Sequence, residues 1–239
     1  MHNSLILTYH NIVDGKEKDL LLYDVSLEDF RQQMDIVRNT QCAIRATNIV
    51  LTFDDGYKSW ANEVFEVLSQ YRLKAIFFIC IKHLEEGKVS CVDILKLKNA
   101  GMEIGSHSVS HSYLNTLSET ELFAELGESK KALESIIQSE VKYFSVPYGN
   151  CSERIVKIAQ AVGYQAVFTS VIGINHRAGY TLKRISLKRD TSLKEFKAII
   201  AGKGLGRMAF EQGVKDTFKN IVGVKNFHFL RNCVVRKAE

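Results

Sequence analysis

Apolar and polar positions along this 239-residue chain fall into two alternating kinds of block. The first kind is a short, nearly continuous apolar run, the pattern of a strand buried on both faces. Such runs lie at 5–9, 49–53, 75–81, 102–105, 142–145, 165–169 and 182–187. In the second kind, apolar residues recur every three or four positions, as on one face of a helix. Phe30, Met34 and Val37 follow this spacing in 27–38, and Ala61, Val64, Phe65 and Leu68 follow it in 59–70. Further helices are predicted at 92–100, 118–137, 152–162, 192–200 and 208–222. Ser26 with Asp29, and Ser118 with Glu121, have the spacing of N-terminal caps, and Gly101 and Gly163 read as stops.

Alternation of strand and helix, with a unit of roughly 25 to 50 residues, predicts parallel strands covered by helices. About seven strands fit, which points to an α/β fold, a distorted and incomplete (β/α)7 barrel. The expected organisation is one barrel domain over 1–201 and a basic, helical C-terminal tail over 202–239 packed on the barrel. No glycine-rich dinucleotide fingerprint or phosphate loop follows any of these strands, which disfavours an open nucleotide-binding sheet.

Composition is that of a globular protein: 46% hydrophobic, 25% charged, a single proline. The net charge of +5 comes mostly from the stretch between Lys183 and Lys237. Mild basicity alone gives nucleic-acid binding no support. It fits an anionic partner, and residues 208–222, with Phe210, Val214, Phe218 and Ile221 on one side, could rest on a membrane surface through the basic tail. Five scattered cysteines, Cys42, Cys80, Cys91, Cys151 and Cys233, form no Cys-x-x-Cys pair and read as free thiols in a reducing compartment. The start at Met1-His2-Asn3-Ser4 lacks a basic-then-apolar leader, and no apolar run reaches ~18 residues. These features predict a cytoplasmic protein.

The candidate chemistry sits where predicted strands end. One strand runs through Leu51-Thr52-Phe53 into the adjacent carboxylates Asp54 and Asp55, then Gly56. Neighbouring strand residues point to opposite faces, so the two acids are expected to do different jobs. His10 ends the first strand, His107 and His111 follow another, and Pro147-Tyr148 closes a third. In a parallel barrel these ends share one face, where active sites sit. A helical turn at 107–111 would put both imidazoles of the His-x3-His pair on one side. Two histidines and a carboxylate make a three-ligand metal site with an open position, the catalytic pattern for zinc and also a donor set for non-haem iron.

Thr52-Phe53-Asp54-Asp55-Gly56 and His107-Ser108-Val109-Ser110-His111 resemble the first two motifs of the polysaccharide deacetylase family, the carbohydrate esterases with the NodB-homology domain. Pro147-Tyr148-Gly149 resembles the third motif, and the resemblance spans most of residues 1–200. It implies a deformed (β/α)7 barrel that uses a divalent metal to remove N-acetyl groups from amino sugars. Asp55, His107 and His111 would hold that metal, zinc first, with cobalt, nickel or iron as substitutes. Asp54 would be the general base, and the backbone N–H of Tyr148, beside Pro147, would help to hold the oxyanion. The substrate would be an N-acetylated glycan or a lipid-linked saccharide.

Two departures stand out. The family often carries an arginine before the third-motif proline, paired with the base. Here the segment is Phe144-Ser145-Val146-Pro147, and Arg184, in the last predicted strand, is the substitute considered. The late Leu-x-His motif that supplies the acid is also missing, because Ile185-Ser186-Leu187-Lys188-Arg189 has no histidine. Tyr9-His10 resembles the first strand of permuted members that act on poly-N-acetylglucosamine, so the acid is assigned to His10, ahead of His176 and His228. The alternatives are a deformylase or small-molecule amidohydrolase of the same fold, or a non-catalytic carbohydrate-binding relative.

Overall fold

A computed structural model describes residues 3–15, 20–43, 47–177 and 179–222, and for Cys42, Ala43, Thr47 and 215–222 the backbone alone. His228 and Cys233 lie outside the described residues. In chain order the elements are β1 (Asn3–Tyr9), β2 (Ile12–Val13), β3 (Val25–Ser26), α1 (Leu27–Ala43), β4 (Thr47–Asp55), α2 (Glu63–Tyr71), β5 (Ala75–Ile79), α3 (Ile81–Glu85), α4 (Cys91–Asn99), β6 (Glu103–Ser106), α5 (Glu119–Ile137), β7 (Tyr143–Ser145), α6 (Glu153–Val162), β8 (Ala166–Phe168), β9 (Thr181–Leu182), β10 (Ile185–Ser186), α7 (Leu193–Ile200) and α8 (Leu205–Val222). Capping chemistry sets several of these starts. Ser118 and Glu121 form the reciprocal capping box expected of α5, and Ser26 caps α1 by accepting from the Asp29 N–H at 3.0 Å.

Eight strands form one parallel sheet in the order β10-β1-β4-β5-β6-β7-β8-β9. Its two edge strands, β9 and β10, are separated in sequence only by Lys183 and Arg184. The segment 181–186 thus pairs with β8 through its first half and with β1 through its second, which curls the sheet round on itself. The expected strand at 182–187 is therefore divided, and the barrel has its seventh strand in two pieces. Strands of a closed barrel are tilted and staggered. A short closing strand cannot meet both neighbours at one level, so it breaks and shifts. Asn175 laces the break: its backbone exchanges two 2.9 Å hydrogen bonds with Ser4, its Nδ2 donates to the Lys183 carbonyl, and its Oδ1 accepts from the Lys183 N–H.

Side-chain alternation sorts residues between the inside of the barrel and the helix layer. Ile6, Phe78, Ala166 and Phe168 form a small inner cluster, with Val50, Ile76, Tyr143 and Leu182 against it. Gly105 leaves room for Phe78: a Cβ there would stand 2.5 Å from that ring. Along β4 the series Val50, Thr52, Asp54 faces inward, and along β1 the series Ile6, Thr8, His10 does the same. Thr8 and Thr52 meet at 3.0 Å between their hydroxyls. On the other face Phe53 stacks on Phe77 with ring centres 4.8 Å apart, in the larger core that also holds Tyr9, Phe30 and Trp60. Each such fully buried ring contributes about 1.5–3 kcal/mol, so the strand that ends in the two aspartates is anchored from both sides.

The C-terminal helix meets the barrel through its first turns. Leu205 and Met208 reach the core, and Gln212 donates to the Ser170 carbonyl and accepts from the Ile172 N–H. On the apolar side marked out by sequence, Phe210 is 74% exposed and Val214 56%. A polar clip plus one apolar turn holds this helix. Among the described residues, no helix is long and apolar enough to cross a membrane.

Candidate metal centre and active site

The C-terminal ends of β1, β4, β5, β6 and β7 bring the candidate residues to one rim. Register fixes their levels: Tyr9 is opposite Phe53, Asp55 opposite Ile79, Ile79 opposite Ser106, and Ser106 opposite Phe144. His10 therefore stands beside Asp54, and His107 one step beyond the level of Asp55. The His107 N–H extends the ladder by donating to Ile79 at 2.9 Å.

Asp54 follows the alternation and points into the barrel, where it is 3% exposed. Arg184, at the break between β9 and β10, grips it with two parallel hydrogen bonds: Nη1 to Oδ1 and Nη2 to Oδ2, both 2.8 Å. Ser145 donates to Oδ2 at 3.0 Å and accepts from Arg184 Nη2 at 2.8 Å. The guanidinium is itself 1% exposed, donates through Nε to the Thr169 carbonyl, and lies near the Phe78 and Phe168 rings. Burial works to raise the Asp54 pKa, but Arg184 and then His107 outweigh it, and the net shift is downward. Fork-on-carboxylate geometry, with the remaining valences filled, is what keeps a buried pair ionised. Arg184, the substitute considered from sequence, thus pairs with Asp54.

Asp55 breaks the alternation. Its φ of 91° lies in the left-handed region, uncommon for a residue with a side chain. This turn brings its carboxylate to the same rim as Asp54. Asp55 Oδ1 lies 3.1 Å from His111 Nε2 and 3.4 Å from His107 Nε2, yet it is buried without a hydrogen-bond partner. The three ligand atoms offered by Asp55, His107 and His111 lie within 4.8 Å of one another.

The His-x3-His segment is not helical. Residues 107–111 form a loop in which Ser108 (φ 67°) and His111 (φ 58°) take left-handed conformations, and these turns bring the imidazoles together with ring centres 4.9 Å apart. The Ser108 hydroxyl accepts from the His111 N–H at 3.1 Å. Glu125 on α5 accepts from the N–H groups of Val109 and Ser110 at 2.9 and 3.0 Å, and from the Ser110 hydroxyl at 2.6 Å. Sequence reading missed Glu125, because a glutamate on an amphipathic helix has the signature of a solvated one.

These residues fit a divalent cation. His107 Nδ1 is 2.8 Å from the Ser145 carbonyl, which places the ring proton there and turns the Nε2 lone pair toward Asp55. A lone pair facing a carboxylate oxygen is repulsive unless positive charge lies between them. The ionisation tendencies agree. Burial alone would raise the Asp55 pKa and lower that of His107. Instead the imidazoles pull Asp55 well down, and Asp54 with Asp55 pulls His107 up. Positive charge is favoured at this point.

His10 stacks on Tyr23 with ring centres 4.8 Å apart. Its carbonyl accepts from Trp60 Nε1 at 2.9 Å, and its Nδ1 is buried without a partner. Burial lowers its pKa, while Asp55 and Asp54 work the other way. His176 pairs with Asn3 at the far end of β1, about 20 Å of strand away from this rim, and is removed as a candidate. Pro147 is buried. Tyr148, at φ 60°, sets its ring edge-on to His111 at 4.7 Å and stacks on Tyr113 at 3.8 Å.

The fold of this chain is shared with solved deacetylases. The fold is similar to that of the Streptococcus pyogenes deacetylase PplD in complex with acetate (TM-score 0.74, 23% identity, 83% of this chain and 98% of that one). It is also similar to that of IcaB from Ammonifex degensii (TM-score 0.71, 19% identity, 84% and 97%). In sequence, the chain is 31% identical over 123 residues to the peptidoglycan-N-acetylglucosamine deacetylase of Bacillus cereus, covering 51% of this chain and 56% of that protein. The chain spans about half the length of the curated relatives it matches. Residues 44–167 match the polysaccharide deacetylase family, and the chain belongs to it.

Proposed function

We propose that this protein hydrolyses the N-acetyl amide of an amino sugar within a glycan, using a divalent cation, zinc first, held by Asp55, His107 and His111. The observation that carries the reading is the meeting of Asp55 Oδ1 with two imidazole Nε2 atoms, beside an Asp54 already neutralised by Arg184. A cation there would act as a Lewis acid, polarising the amide carbonyl and acidifying water.

The chain's own groups divide the remaining work. Asp54, kept ionised by Arg184, takes the proton from the attacking water as general base. The backbone N–H of Tyr148, whose ring lies against His111, donates to the developing oxyanion. His10, one strand over from Asp54, delivers a proton to the departing amine, since an amide anion is a very poor leaving group. The Tyr148–Tyr113 stack, with Tyr148 44% exposed, offers a flat wall beside the site on which a sugar ring can lie. The relatives' names, peptidoglycan and chitin deacetylases among them, favour a polymeric N-acetylhexosamine.

The test is acetate release from chitooligosaccharide and poly-N-acetylglucosamine by zinc-loaded protein, with the Asp54→Asn variant alongside. Zinc bound by both and acetate released only by the wild type supports the assignment. Wild-type protein that binds zinc at other residues, or that releases acetate equally well after Asp54→Asn, overturns it.

A further inference from the structure

A third imidazole lies beside the metal-site residues and has no part in the chemistry above. His83 sits on α3, directly after β5, and is 9% exposed. Its Nδ1 lies 2.8 Å from the backbone carbonyl of Asp55. That carbonyl can only accept, so Nδ1 carries the proton. The Cys80 N–H reaches the same oxygen from a longer 3.3 Å. On its far side His83 Nε2 faces Glu86 at 3.8 Å, and its ring centre is 5.7 Å from that of His111. The His83 Cβ also lies near Gly56, where an added Cβ would meet Val89 at 3.1 Å and the His83 Cβ at 3.8 Å.

We propose that His83 is a positioning residue that holds Asp55 in its left-handed conformation through the Nδ1–H bond to the Asp55 carbonyl. This inference rests on the metal-site reading for its consequence but not for its geometry. The carbonyl and the carboxylate of Asp55 are joined through one Cα. Fixing the direction of the first therefore fixes where the second can point. At a φ of 91° the backbone gains nothing from local preference and needs an outside hold. The short His83 bond supplies it from an element that follows the neighbouring strand. Without it, Asp55 relaxes toward ordinary strand geometry, whose alternation would send the carboxylate away from His107 and His111.

Geometry also supplies a discriminating test. The side-chain N–H of asparagine can stand where His Nδ1 stands, whereas that of glutamine reaches to the position of Nε2. His83→Asn should keep the hold, and His83→Gln and His83→Leu should lose it. The first readout is amide hydrogen exchange at Cys80, whose N–H bonds to the same Asp55 carbonyl, in metal-free protein. The second is zinc affinity by chelator competition. Expected results are faster exchange and about 10–100-fold weaker zinc binding for the Gln and Leu variants, with Asn near wild type. Exchange unchanged in His83→Leu, or Gln and Asn behaving alike, overturns the proposal. If wild-type protein binds no zinc while exchange still separates Asn from Gln, the metal reading fails and the positioning role stands.

Discussion

Asp54 and Asp55 are adjacent in the chain and opposite in circumstance. Asp54 keeps regular strand geometry, and its carboxylate is satisfied by Arg184 and Ser145. Asp55 leaves strand geometry, and one of its oxygens is buried beside two imidazoles with no hydrogen bond. A carboxylate with its charge balanced inside the protein can exchange a proton with something that visits. A carboxylate with its balance missing waits for a cation. On the proposed reading one strand end would supply both roles: a single backbone turn places two acids at one rim with different hydrogen-bond partners, while His107 feels both carboxylates. Ser145 also links the two sides, its hydroxyl on Asp54 and its carbonyl on His107.

The comparison breaks most visibly if the two acids are exchanged in effect. Asp54→Asn should retain stoichiometric zinc and lose turnover by about 10²–10⁴-fold, the usual weight of a general base. Asp55→Asn should lose the zinc itself. Metal analysis beside acetate release separates the two, and equal zinc loss in both would end the division of labour.

Removing the counter-ion comes next. Arg184→Met leaves a buried carboxylate unpaired and should cost about 3–5 kcal/mol in denaturant unfolding. The double variant Arg184→Met with Asp54→Asn should recover part of that, since no buried charge is left. The same pair sets an acid limit. Asp54 titrates lower in the folded protein than in the unfolded chain, so its contribution is present above the unfolded value and fades as pH falls through the folded one. Arg184→Met removes the downward pull, so the acid limb of turnover should move to higher pH in any residual activity.

On the Asp55 side, Glu125→Ala strips the acceptor from two N–H groups of the 107–111 loop. Leaving partly buried donors unmade costs about 1–3 kcal/mol. That should appear as weaker zinc binding in chelator competition, and Glu125→Gln should be milder. The smallest effect expected is Ser145→Ala, about 0.5–1.5 kcal/mol for one side-chain hydrogen-bonding group. It should fall on the Asp54 side alone, because the carbonyl that orients His107 belongs to the backbone and remains. A thermal unfolding series with parallel zinc titration would show whether the loss stays on that side.

Much of this was legible in the sequence. Buried runs and helical spacing place most elements within a few residues, and β4 follows from its apolar run even though it extends through both aspartates. Asp54, Asp55, His107 and His111 stand out because adjacent acids and spaced imidazoles at strand ends have few ordinary explanations. What stayed hidden depends on long-range geometry. The divided seventh strand reads as continuous because apolar content does not record which neighbour each residue pairs with. The fold of the 107–111 loop depends on Ser108 and His111 adopting a conformation their side chains do not advertise. Arg184 could be suggested only because a guanidinium was missing elsewhere. His83 and Glu125 act through backbone groups of other segments, and their spacing marks them only as helix residues.

The arginine in the divided strand carries a last consequence, for synthesis. Arg184 lies 130 residues after the acid it neutralises. A ribosome delivers His107 and His111 soon after Asp55, so a nascent chain would own every metal donor well before it owned the counter-charge for Asp54. Domains generally fold as units, and this rim cannot be electrically complete until the final β pieces join the first strand. Fragments ending near residue 168 lack the guanidinium that balances Asp54 and should not turn over substrate.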